Sequence, residues 1–167
     1  MSLDRVANLA TIAACVIVSV SVGQRWWRES QRPGYTSYAA GDTIKNTAAL
    51  NLTSSRQTLL IGTASTCGFC TRSMPFFHEL VQEVRGNGGQ AVGFTFEDPE
   101  VNRRYLRNNG VEVEDVVSAN ANGLVLKSTP LLILVDGNGK VTGVWRGMQS
   151  ADAQSKVLER IRKGGQS

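Results

Sequence analysis

An apolar run of strand length, Thr58 to Ser65 (TLLIGTAS), leads within two residues into Cys67-Gly68-Phe69-Cys70 and then into a helical pattern. This junction constrains the fold more than any other feature. From Gly68 to Arg85, Met74, Phe77, Leu80, Val81 and Val84 recur at helical spacing, and the pattern stops at Gly86-Asn87-Gly88-Gly89. Ala91 to Glu97 then alternates as a strand. Asp98 and Pro99 supply an N-cap and a first-turn proline for a second helix, which ends at Asn108, Asn109 and Gly110. Strand, helix, strand, helix predicts parallel crossovers. Val113 to Ala119 reads as a short strand and Pro130 to Val135 as a buried one. Lys140 to Arg146 is its hairpin partner across Asp136-Gly137-Asn138-Gly139. Ser150 caps a closing helix with Val157, Leu158 and Ile161 inward and Arg160, Arg162 and Lys163 suited to its carboxyl end. The expected class is α/β, a mixed central sheet in three layers (α/β/α).

The amino end has a different composition. From Val6 to Val22 no charge appears, and the run is flanked by Arg5 and by Gln24-Arg25-Trp26-Trp27-Arg28. It falls just short of the roughly 20 residues of a comfortable membrane span, which fits a signal anchor and leaves a cleaved signal peptide as the alternative. Trp26 and Trp27 favour the anchor, because paired indoles suit the membrane interface. Ile12-Ala13-Ala14-Cys15 is similar to a lipoprotein cleavage box, but the apolar residues after Cys15 argue for a small buried side chain instead. The predicted organisation is a short tail over 1–5, an anchor over 6–22, a linker over 23–40 and a globular domain over 41–167. Counting positive charges alone favours a cytoplasmic domain, since Arg25, Arg28 and Arg32 come after the segment. Short amino-terminal anchors commonly deliver the domain behind them outward, and the expectation adopted is a domain on the periplasmic or external side.

A formal net charge of +4, with basic and acidic residues interspersed, argues against a nucleic-acid partner. Three cysteines provide no framework of structural bridges, so the pair at 67 and 70 needs its own explanation. A cysteine at a helix start meets unpaired N–H groups and the positive end of the macrodipole, which lower its thiol pKa. Cys67 holds that position, and Cys70 stands one turn in, close enough to resolve a mixed disulfide on Cys67. Gly68 permits the tight turn, and Phe69 offers an apolar surface without charge. Zinc is the rival reading, weakened by the lack of a second C-x-x-C and by a single histidine, His78. A structural staple is the other, weakened because so short a loop restrains little of the unfolded chain.

Strand, C-x-x-C, helix, then Pro75, then Thr129-Pro130 ahead of a buried strand together resemble a thioredoxin fold. The closer resemblance is to the membrane-anchored thiol-disulfide oxidoreductases of the TlpA/ResA type. It runs from Gly41-Asp42-Thr43-Ile44, similar to their extra amino-terminal strands, to the last helix. The resemblance implies Cys67 as nucleophile, Cys70 as resolving thiol and Pro130 as a cis-proline. The backbone of Thr129 would then pair with an extended substrate, with Phe69 beside it. It implies protein thiol and disulfide substrates, a transmembrane thiol electron donor and no cofactor. Pro75 is expected to kink its helix.

Two departures from that pattern concern proton transfer. Ile61 stands where many thioredoxins carry a buried acid, and Ser73 where several anchored relatives carry a glutamate. Glu97 is the remaining candidate for proton transfer, with a solvated carboxylate as the plainer expectation. Thr66 replaces the tryptophan common before the first cysteine, and His78 is expected on the surface. Two other functions stay open. One is a thiol peroxidase, against which Ala64 lacks the hydroxyl expected three residues before Cys67. The other is a non-catalytic binding module.

Overall fold

The structure is a computed structural model that describes residues 38–45, 50–52 and 55–164. The expected anchor over 6–22, Cys15, and Trp26 and Trp27 at the membrane interface lie outside the described residues. Among the described residues no helix is long and apolar enough to cross a membrane.

Eight elements come in the order β1 (Gln57–Gly62), α1 (Gly68–Gly86), β2 (Gln90–Thr95), α2 (Pro99–Asn108), β3 (Asp115–Ser118), β4 (Leu131–Asp136), β5 (Val141–Arg146) and α3 (Ala151–Gly164). They form one five-stranded sheet ordered β3-β2-β1-β4-β5. β1, β2 and β3 run parallel, while β4 is antiparallel to both β1 and β5. β5 therefore points the same way as β1. The carboxyl ends of β1, β2, β3 and β5 share one edge of the sheet with the start of β4. Central strands buried on both faces explain the unbroken apolar runs of β1 and β4.

Two cores flank the sheet. Leu59 and Ile61 of β1 and Leu132 and Leu134 of β4 face α1 (Met74, Phe77, Leu80, Val81, Val84), α3 (Val157, Leu158, Ile161) and Leu106 of α2. The alternate residues Leu60, Ile133 and Val135 belong to the second core, with Val92 and Phe94 of β2. No described α-helix contributes to that second core. It is completed by Ile44, Leu50, Leu52, Ala119 and Leu124, with Tyr38 and Leu126 packed against it. The three-layer expectation is thus corrected among the described residues, where irregular chain takes the place of a second helical layer. The reason is topological. The steps β1 to β2 and β2 to β3 go in the same direction across the sheet, and right-handed crossovers place both connecting helices on one face.

Tyr38, inside the stretch whose composition reads as linker, belongs to the folded unit. Its hydroxyl accepts from the Val125 N–H at 2.8 Å, and burial pushes its phenol above the ordinary pKa, offset in part by that bond. Among the described residues the extra amino-terminal strand region contributes one isolated antiparallel bridge, Thr43 with Lys140. Backbone bonds from Gly41 N–H to Val141 O and from Ile44 N–H to Gly139 O hold that segment along the hairpin. The hairpin turn forms as its sequence predicts, with Asp136 Oδ1 accepting from the N–H groups of Asn138 and Lys140 and Gly139 at φ +81°.

Gly62 ends β1 under the second core. A Cβ there would stand 2.7 Å from Leu126 Cδ1 and 2.8 Å from Phe94 Cζ. Gly62→Ala is therefore expected to overpack the site and cost about 1–3 kcal/mol. An unchanged denaturant midpoint would show that Phe94 and Leu126 give way freely.

Candidate active site

Between β1 and α1 the chain makes one turn, closed by the Cys67 N–H donating to Ala64 O at 3.0 Å. Cys67 is the N-cap of α1, with extended dihedrals (φ −85°, ψ 102°), and its Sγ accepts from the Cys70 N–H at 3.1 Å. A sulfur thus does what a serine or aspartate oxygen does at an ordinary N-cap, and negative charge on it is stabilised by that donor and by the macrodipole. No acidic residue in the first turn of α1 opposes this. Cys67 and Cys70 are joined as a disulfide with their Cα atoms 5.2 Å apart. Cys70 is fully buried against Met74 and Phe77, whereas Cys67 is only partly covered. One sulfur is open to a reactant and the other can be reached only from within.

Beside them the Thr129–Pro130 bond is cis, as the resemblance implies. The Thr129 carbonyl oxygen lies 3.6 Å from Cys67 Sγ, within reach of a thiol proton in the reduced state. Pro130 is buried, and its carbonyl accepts from the Gly147 N–H at 2.8 Å, which fastens the loop after β5 to the same edge. The sites inferred at Cys67, Cys70, Thr129 and Pro130 are thus together. Phe69 is exposed beside them, and the Arg72 guanidinium lies over its ring, 4.6 Å from the centroid, so a charge from the next turn joins the apolar surface that Phe69 offers. The i, i+3 spacing of Phe69 and Arg72 was the signal available in the sequence.

Glu97 is not a solvated carboxylate. Its Oε1 accepts from the Ser65 N–H and from Asn102 Nδ2, and its Oε2 from Ser65 Oγ, all at 2.8 Å. Asn102, itself fully buried, accepts at Oδ1 from Thr63 Oγ1 at 3.0 Å. The carboxylate therefore pins residues 63–65, the approach to Cys67, to the start of α2. All three of its bonds come from Ser65 and Asn102, and none from a cysteine. Glu97→Ala should leave three donors without their acceptor and lower stability by about 1–3 kcal/mol. A denaturant midpoint equal to that of the parent chain would remove Glu97 from this role.

Other side chains complete the surroundings. Thr71 Oγ1 meets the Tyr105 hydroxyl at 2.9 Å, joining the first turn of α1 to α2. Ser73 is buried and donates to Phe69 O at 2.9 Å, so it offers no acid at the place where some relatives carry one. Thr66 is exposed, and Ala64 is buried and without a hydroxyl. Pro75 lies within a continuous 19-residue α1, on its exposed side. His78 is exposed, with Nδ1 2.7 Å from Gly110 O at the far end of α2.

No family model matches the chain, and no curated protein matches it. Solved structures do. One from Chlorobium tepidum, assigned as the thiol:disulfide interchange protein DsbE, has 22% identity and a TM-score of 0.62, covering 77% of this chain and 99% of that one. The thioredoxin domain of a thiol-disulfide oxidoreductase from Bacteroides vulgatus has 16% identity and a TM-score of 0.55, covering 75% and 99%. The peroxidoxin BcpB from Mycobacterium tuberculosis has 18% identity and a TM-score of 0.58, covering 76% and 98%. Likeness at these identities is likeness of fold. Together with the sheet order, the cis bond before β4 and the disulfide that caps α1, it makes this chain a thioredoxin-like α/β fold.

Proposed function

We propose that the chain is a membrane-tethered thiol-disulfide oxidoreductase that exchanges disulfides with protein substrates through Cys67 and Cys70, acting as a reductase. The observation that carries this reading is the asymmetry of the pair: a partly open sulfur capping a helix, joined to a fully buried one. In the reduced state the Cys67 thiolate attacks one sulfur of a client disulfide. The Cys67–client S–S bond forms, the client S–S bond breaks, and the departing client sulfur leaves as a thiolate that takes a proton. Cys70 then gives up its proton, and its sulfur attacks Cys67 Sγ. The intramolecular disulfide forms and the second client sulfur leaves as a thiol. Two electrons and two protons pass to the client, and a donor dithiol returns the chain to its reduced state.

The cis Thr129–Pro130 edge supports a protein client, because an exposed backbone edge next to a reactive sulfur can pair with an extended segment. Tethering rests on the uncharged run Val6–Val22 with Trp26 and Trp27 behind it, and the domain is assigned to the external side. A transmembrane thiol carrier is taken as the electron donor because the chain resembles the anchored thiol-disulfide oxidoreductases. Alkaline phosphatase fused after Trp27 should be active, and an inactive fusion would place the domain in the cytoplasm. For the chemistry, catalytic amounts of the chain should accelerate the reduction of a disulfide-bonded protein by dithiothreitol. No acceleration would defeat the reading.

The likeness to a peroxidoxin favours a second reading, a thiol peroxidase that uses the same Cys67. Buried Ala64, with no hydroxyl to orient a peroxide, weighs against it. Rapid peroxide consumption that depends on Cys67 would put this reading first.

A further inference from the structure

Arg72 comes three positions after Phe69 on α1, and its guanidinium carbon stands 4.6 Å from the centre of that ring. A Cβ built on Gly68 would have Arg72 Nη1 as its neighbour at 3.9 Å. The guanidinium is therefore folded back over Gly68-Phe69, the two residues between the cysteines. Arg72 belongs to none of the ion pairs among the described residues. Of the carboxylates near this edge, Glu97 is held by Ser65 and Asn102, Asp98 by the N–H groups that open α2, and Glu100 by Arg103, while Asp152 lies in the first turn of α3 and pairs with Arg72 in none of the ion pairs among the described residues. The positive end of α1 adds to the same side, with no acid in its first turn.

The apolar surroundings are equally one-sided. Phe69, Phe96, Val101 and Met148 are the exposed large hydrophobic residues among those described. Phe69 lies in the first turn after β1, Phe96 directly after β2, Val101 in the first turn of α2, and Met148 two residues after β5. β1, β2 and β5 point the same way, so all four belong to the edge of the sheet that carries Cys67.

We propose that Arg72 is a specificity-determining residue, and that this edge selects protein clients whose reacting disulfide is flanked by a carboxylate and by apolar side chains. The inference rests on the reading of Cys67 and Cys70 as an exchanging pair. The ring occupies one face of the guanidinium and holds it in place, which leaves the in-plane N–H donors available to an anion. Those donors match a carboxylate in a paired, planar geometry that a lysine cannot reproduce. A cation beside Cys67 also stabilises its thiolate towards every client. Selectivity is therefore a matter of ratios between clients and not of any one rate.

The test measures second-order rate constants of the reduced full chain with three small disulfides: oxidised glutathione (anionic), hydroxyethyl disulfide (neutral) and cystamine (cationic). The expected order is glutathione, then hydroxyethyl disulfide, then cystamine. Arg72→Gln should compress the anionic-to-cationic ratio by roughly three- to tenfold, and high salt should compress it in the parent chain as well. Arg72→Lys should keep the order with a smaller spread. A ratio unchanged in Arg72→Gln overturns the proposal, as does a uniform fall in all three rates, since either leaves the guanidinium no part in choosing the client. If the parent chain reduces none of the three, the exchange reading itself fails and the selectivity falls with it.

Discussion

Cys67→Ser is expected to abolish disulfide exchange, whereas Cys70→Ser is expected to leave the first step intact and halt the second. The difference stems from position. Cys67 Sγ is the partly exposed sulfur, and it holds the N-cap, where the Cys70 N–H and the macrodipole favour a thiolate. A serine hydroxyl at the same place accepts the same hydrogen bond but stays protonated, so the fold keeps its cap and loses its nucleophile. Cys70, with its side chain buried among Met74 and Phe77, reaches only Cys67. Removing it should trap the client on Cys67 as a mixed disulfide, visible as one added client mass per chain that dithiothreitol releases. Adducts forming equally on Cys70 in the Cys67→Ser chain would reverse the assignment of nucleophile and resolving thiol.

The largest effect on stability is expected at Phe77. It lies on α1 in the core that joins that helix to the sheet and to α3, and only 1% of it is exposed. Phe77→Ala removes the ring and leaves a cavity between elements that cannot fully close, at a cost of about 3–5 kcal/mol. Phe69→Ala, on the same helix but 54% exposed, should change stability by no more than about 0.5 kcal/mol. Urea unfolding monitored by circular dichroism separates the two, and equal midpoints would contradict this account of the core.

The contrast between these phenylalanines shows what the sequence made legible. Met74, Phe77, Leu80, Val81 and Val84 recur at helical spacing, and all five are buried on the sheet-facing side of α1. The strand runs, the Asp98-Pro99 start of α2 and the turn from Asp136 to Gly139 were equally readable, because each depends on residues near one another in the chain. Cys67 and Cys70 were readable from their spacing at the start of a helical pattern, whereas the cis Thr129–Pro130 bond was readable only through resemblance to a known family.

Contacts across long separations were not legible. Glu97 and Ser65 lie 32 residues apart, and neither periodicity nor composition marks the carboxylate as the acceptor that fixes the approach to Cys67. Asn102 is polar and sits at the start of an amphipathic helix, yet it is fully buried because Thr63 and Glu97 satisfy both ends of its amide. The second core was hidden in another way. Leu50, Leu52 and Leu124 are scattered through irregular chain, and Tyr38 lies in a stretch with the composition of a linker. Nothing periodic announces that such residues replace a helical layer.

The central claim is that Cys67 and Cys70 form a reversible redox pair, and its most direct measurement is the equilibrium of the purified chain with glutathione buffers. The account predicts one cooperative two-electron transition, absent in Cys67→Ser, with a potential near or below about −220 mV. A potential near about −120 mV would reverse the direction and make the chain an oxidant. The absence of any reversible transition would contradict the account at its root.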